Sequence, residues 1–171
     1  MNFLDNILEW VWDLLPHMEL IPVTHRGIKF LPGGRTKVCG PGLVWHWPVT
    51  TDLVTVPVVR QLLEVTPLNI ATKDDIQVLV DGVVVYTVSD VEKNLALNFE
   101  SEDLADDLAQ AAIRRVVMSS TWERLNSTRS HRHVESSLLE EVSEALTPLG
   151  IQVEEVRIAD LAKHRVLSLK Q

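Results

Sequence analysis

The spacing of apolar residues changes three times along this chain, and those changes decide which elements it can form. Residues 2–15, NFLDNILEWVWDLL, repeat at helical spacing. From Thr24 to Val88 apolar and polar residues alternate between turn residues, and helical spacing returns between Val91 and Leu146. Ile151–Ile158 then alternates once more. A period of two places successive side chains on opposite faces of a strand, whereas a period near 3.6 lays one stripe along a helix.

The first segment is the sharpest case. On a helical wheel Asn2, Asp5, Asn6, Glu9 and Asp13 fall within an arc of about 100°. Phe3, Leu4, Ile7, Leu8, Trp10, Val11, Trp12, Leu14 and Leu15 fill the complementary arc of about 200°. Trp10 and Trp12 stand at the two borders, where an indole can keep its ring in apolar matter and its N–H at headgroup level. Pro16 stops the helix. A helix of this length is about 21 Å long, too short for a hydrocarbon layer of about 30 Å. It suits lying flat in one leaflet, with Phe3 to Leu15 as membrane contacts. Its polar face carries acids only, where interfacial helices usually carry Lys or Arg. The alternative is packing on its own domain or on a neighbouring subunit.

Beyond it, the alternation predicts strands at Thr24–Leu31, Arg35–Cys39, Leu43–Trp47, Thr51–Pro57, Val59–Val65 and Ile76–Val88. Pro32-Gly33-Gly34, Gly40-Pro41-Gly42 and Thr72–Asp75 are the turns, with the Gly-Pro-Gly segment read as a forced reversal. Helices are predicted at Val91–Phe99, Glu102–Met118 and about Ser130–Leu146. The second opens with Glu102, Asp103, Asp106 and Asp107 and closes near Arg114 and Arg115, matching the helix dipole. In the closing strand, Val153 and Val156 are three apart, which breaks strict alternation and predicts a bulge or twist.

The net charge of −8 is unevenly spread. Residues 21–60 hold Arg26, Lys29, Arg35, Lys37 and Arg60 against Asp52 alone, while the rest of the chain is acidic. An acidic body with one basic stretch argues against a nucleic-acid binder and fits an anionic lipid surface better, unless these are simply solvated strand charges. No stretch has the ~20 apolar residues of a membrane span. The amino terminus also lacks the marks of a signal peptide. Cys39 is the single cysteine, so no intrachain disulfide forms and a reducing cytoplasm is the simpler setting.

Catalytic chemistry finds no foothold. His131 and His133 at i and i+2 point to different sides of a helix and cannot share a metal. The Asp103, Asp106 and Asp107 cluster reads as helix-start charge. The glycines match no nucleotide or phosphate loop, and no nucleophile, base and oxyanion donor assemble. The reading is not an enzyme: no catalytic residue, metal or cofactor.

Particular motifs carry a resemblance. THRGIKFLPGG, KVCGPGLVWHWP and DLVTVPVVRQLLEV, then LNIATKDDIQVLVDGVVVYTVSDVEKNL, LAQAAIRRVVMSSTWERLNSTR and LGIQVEEVRIADL occur in that order over about residues 20–161. They resemble the SPFH (stomatin–prohibitin–flotillin, band 7) domain superfamily. The resemblance implies an α+β fold: a strand-rich lobe at 20–90, then a helix-rich lobe with its closing strand at 91–161. Residues 1–16 precede these lobes as the amphipathic helix and 162–171 follow as a tail. It further implies a membrane-associated scaffold at the cytoplasmic face that contacts one leaflet and self-associates. Relatives organise lipid patches or regulate membrane proteases and channels. The family's long coiled coil and its hydrophobic anchor are not found here, so the chain reads as a minimal member or a trimmed one. Trp45 and Trp47, beside Gly40, Pro41 and Gly42, are a second candidate lipid contact; the alternative makes them strand core. A soluble oligomeric shell or adaptor, its amino-terminal helix packed on the adjacent protomer, is the competing function.

Overall fold

A computed structural model describes residues 15–98, 102–127 and 131–163. The helix expected over 2–15 lies outside them, except for Leu15, which sits exposed in a bend before Pro16. Contacts divide the chain into two units, Met1–Val59 and Arg60–Gln171.

The described part of the first unit is built from strands: β1 (His17–Ile21), β2 (His25–Leu31), β3 (Arg35–Cys39), β4 (Gly42–His46) and β5 (Asp52–Pro57). They form two antiparallel sheets, β1-β4 and β3-β2-β5. Strand β1 was not expected, because HMELI is short and bounded by Pro16 and Pro22. The Gly40-Pro41-Gly42 segment is not a hairpin reversal. It carries the chain out of one sheet, at β3, and into the other, at β4. Gly42 makes that step at φ 128°, a conformation that side chains with a Cβ rarely adopt. Ile21, 1% exposed, packs where Gly27 has no side chain; a Cβ there would come within 2.6 Å of the Ile21 Cδ1.

The second unit contains β6 (Gln61–Ala71), β7 (Gln77–Val88), α1 (Val91–Asn98), α2 (Glu102–Ser119), α3 (Trp122–Asn126), α4 (His131–Leu146) and β8 (Ile151–Lys163). Its sheet is antiparallel in the order β6-β7-β8. Val65, Leu68 and Ile70, with Val78, Val80 and Val84, belong to the same buried cluster as Ala109, Ala112, Ile113 and Val116 of α2 and Leu138 and Val142 of α4. The division therefore falls after Val59, and not after residue 90: β6 and β7 need the helices to bury their apolar face.

Two bulges explain where strand boundaries differ from expectation. Val65 faces Gly82 and Leu68 faces Val80, so Thr66 and Pro67 together oppose Asp81. The bulge absorbs a proline that has no N–H to donate, and β6 runs on to Ala71 where alternation seemed to end at Val65. In β8 Val85 faces Glu155 and Tyr86 faces Val153, leaving Glu154 as the extra residue. Val153 and Val156 are both buried for that reason, as their spacing predicts. A second irregularity at Ala159 lets β8 continue past Ile158 to Lys163.

The β6–β7 turn seats helix α3. Thr72 Oγ1 donates to Asp74 Oδ1 at 2.6 Å, and the Trp122 N–H donates to the same oxygen at 3.0 Å. These two hydrogen bonds, the Thr72 hydroxyl foremost, hold the Asp74 carboxyl below its ordinary value of 3.8. A depressed folded-state value stabilises above the unfolded value, and that stability is lost as pH falls through the folded one. Asp74→Asn is thus expected to lower the urea midpoint at pH 7. The gap between variant and parent closes as pH drops below 3.8. Paired urea titrations at neutral and acidic pH measure both; a gap constant with pH would exclude the carboxylate as its source.

Candidate membrane-contact surface

The β1-β4 sheet pairs Met18 with Trp45 and Leu20 with Leu43, and between them Glu19 with Val44. Directly paired residues share a face and neighbours along a strand alternate. Met18, Leu20, Leu43 and Trp45 therefore form one apolar face, and all four are 54–69% exposed. The opposite face turns Ile21 inward and brings the His17 and His46 rings to a centroid distance of 6.2 Å.

The chain after β4 extends this surface. Trp47 and Val49 are 52% and 63% exposed. Their turn is tied at its base: the Trp47 carbonyl accepts from the Thr51 N–H and hydroxyl, both at 2.8 Å, and from the Thr50 N–H at 3.0 Å. The Trp47 N–H in turn donates to Thr51 Oγ1 at 2.9 Å. Trp47 and Val49 thus project from a fixed loop. Of the 13 exposed large apolar side chains among the described residues, ten lie between Leu15 and Val59. Isolated exposed apolar residues are ordinary, but a contiguous face of them marks a surface that meets another phase or partner.

Of the contacts expected from sequence, Trp45 and Trp47 are on this surface, and the alternative that they are strand core does not hold. Leu15 is exposed, while Phe3, Leu4, Ile7, Leu8, Trp10, Val11, Trp12 and Leu14 lie outside the described residues. Gly40, Pro41 and Gly42 connect the sheets and line no site. Met18 and Leu20 were missed; their alternation in HMELI was the available signal, and only pairing with β4 shows that they join Leu43 and Trp45.

The cations lie close by. In the β3-β2-β5 sheet Lys29 pairs with Lys37 and with Leu53, and Leu31 pairs with Arg35. The Lys29 ammonium donates to the Trp45 carbonyl. In the second unit the exposed ion pairs Arg60–Glu154, at 2.9 Å, and Arg115–Glu141, at 2.7 Å, are solvated surface contacts of small energy.

These elements define an α+β protein whose exposed apolar residues concentrate in its strand-built first unit. The model of the SPFH domain / Band 7 family matches residues 19–164, and the chain belongs to that family. It is similar to an uncharacterized protein of Archaeoglobus fulgidus, 28% identical over 90% of this chain and 65% of that one. It is 30% identical to stomatin of Mus musculus over 78% of this chain and 45% of stomatin. A stomatin homolog of Pyrococcus horikoshii is 27% identical over 84% of this chain and 53% of its own length. The chain thus spans about half to two thirds of these relatives. Among the described residues no helix is long and apolar enough to cross a membrane.

Proposed function

We propose that this protein is a non-enzymatic, membrane-associated, self-assembling scaffold of the stomatin type that rests on one leaflet at the cytoplasmic face. The observation that carries the reading is the exposed face of Met18, Leu20, Leu43 and Trp45, continued by Trp47 and Val49. Four apolar side chains on one side of a two-stranded ribbon have no covering element among the described residues, and a lipid interface removes them from water. Trp45 and Trp47 suit that boundary because the indole combines an apolar ring with an N–H. Charge supports the same orientation. Between residues 15 and 59, Arg26, Lys29, Arg35 and Lys37 outnumber Glu19 and Asp52, whereas residues 60–163 are strongly acidic. An anionic leaflet attracts the first unit and repels the second. The amphipathic segment 2–15 supplies a further contact on this reading, and family membership supports self-association and a role beside membrane proteins.

Vesicle co-sedimentation tests it. The full chain is expected to pellet with anionic vesicles, and removal of residues 1–16 to weaken that binding severalfold while the ribbon retains a remainder. A full chain that stays in the supernatant overturns the reading. If it also forms an oligomer in lipid-free buffer that dissociates on removing residues 1–16, the soluble shell replaces it.

A further inference from the structure

Strand register gathers three cations on one side of the β3-β2-β5 sheet. Lys29 stands directly opposite Lys37, and Arg35, two residues along β3, shares their face. Like charges directly opposed across a pair of strands destabilise it. The sheet's own strands supply no carboxylate to relieve them: the face carries His25, Gly27, Lys29 and Leu31 on β2, Arg35, Lys37 and Cys39 on β3, and Leu53, Thr55 and Pro57 on β5. Asp52 pairs with Phe30 and belongs to the other face. Among the described residues none of the three cations has an ion pair. Arg35 and Lys37 are exposed, and Lys29 is half-buried.

What sets this cluster apart from scattered surface charge is its junction with the apolar face. Lys29 donates to the backbone carbonyl of Trp45, so its ammonium sits at the root of an indole that is 57% exposed. A ligand bridging both features is an anion joined to an apolar body. We propose that Lys29, Lys37 and Arg35 form a binding site for the phosphate of an anionic lipid headgroup, with Trp45 and its neighbours lying against the acyl chains below it. This rests on the membrane reading and deepens it, since it assigns which lipids are chosen and which residues choose them. Phosphate is the shared chemistry of a lipid headgroup and a free phosphate ion; the adjoining apolar face favours the lipid. A nucleic acid would leave that face in water.

The test compares the full chain with R35Q/K37Q, which leaves the Lys29–Trp45 hydrogen bond in place, on vesicles of phosphatidylcholine alone and of phosphatidylcholine with phosphatidylglycerol, at low and high salt. Each cation near an anionic surface is worth roughly a fivefold change in binding. The double variant is expected to lose on the order of tenfold or more on anionic vesicles at low salt, with the difference shrinking as salt screens it. On neutral vesicles it should bind as the parent does. Without lipid, its melting temperature should equal or exceed the parent's, because the opposition of Lys37 to Lys29 has gone; a merely structural role for Arg35 and Lys37 predicts a fall. Equal anionic binding by parent and variant overturns the headgroup site while leaving the membrane reading intact. A parent that binds neither vesicle defeats the membrane reading itself and this inference with it. Binding of inorganic phosphate by the parent, lost in the variant and unaccompanied by any anionic-lipid preference, assigns the site to the free ion and overturns the lipid.

Discussion

Gly150→Ala is expected to cost the second unit at least about 3 kcal/mol, a large part of the stability of a domain this size. Gly150 follows the 3-10 turn Thr147–Leu149 at φ 70°, and a left-handed conformation costs a residue with a side chain about 1–3 kcal/mol. The added Cβ would also lie 2.3 Å from the Asp90 carbonyl oxygen. That atom is backbone, so it cannot swing aside as a flexible side chain would. Moving it disturbs three bonds that hold the end of β7 to the start of β8. The Gly150 carbonyl accepts from the Ser89 N–H at 2.9 Å, the Asp90 N–H at 3.1 Å and the Ser89 hydroxyl at 2.9 Å. Each is worth about 1 kcal/mol. A urea titration reads the result as a lower midpoint; a midpoint within error of the parent's would mean that this junction is not packed as described.

The second large effect concerns binding and leaves folding alone. Replacing Met18, Leu20, Leu43 and Trp45 together with serine is expected to reduce vesicle affinity at least about a hundredfold. Full burial of such a side chain gains ~1.5–3 kcal/mol, and shallow insertion about half as much, so four of them exceed the ~2.7 kcal/mol that a hundredfold represents. All four are more than half exposed, so the urea midpoint should shift little. Loss of affinity with an unchanged midpoint assigns the face to the membrane. Loss of both would return these residues to the core.

Much of the fold was legible because alternation and its exceptions are local. The three-residue spacing of Val153 and Val156 was enough to expect a bulge or twist, which falls at Glu154, and the end of α4 at Leu146 follows from Pro148 and Gly150. Elements shaped by distant partners were not legible. Pro67 looked like the end of a strand because the bulge against Asp81 that accommodates it depends on β7. The Gly-Pro-Gly segment looked like a hairpin because nothing local distinguishes a reversal from a change of sheet. The candidate surface divides in the same way. Trp45 and Trp47 announce themselves by residue type, whereas Met18, Leu20 and the opposition of Lys29 to Lys37 exist only once register is known. The division after Val59 was hidden because β6 and β7 read as strands like their predecessors, while the helices that cover them come later in the chain.

Trp45 offers the most direct measurement of whether the ribbon meets lipid. In a chain keeping Trp45 alone, with Trp10, Trp12, Trp47 and Trp122 replaced by phenylalanine, free-protein emission should be that of a largely exposed indole. On anionic vesicles the emission should shift to the blue and be quenched by lipids brominated along their acyl chains. An unshifted, unquenched spectrum from protein that has sedimented with the vesicles would contradict the account.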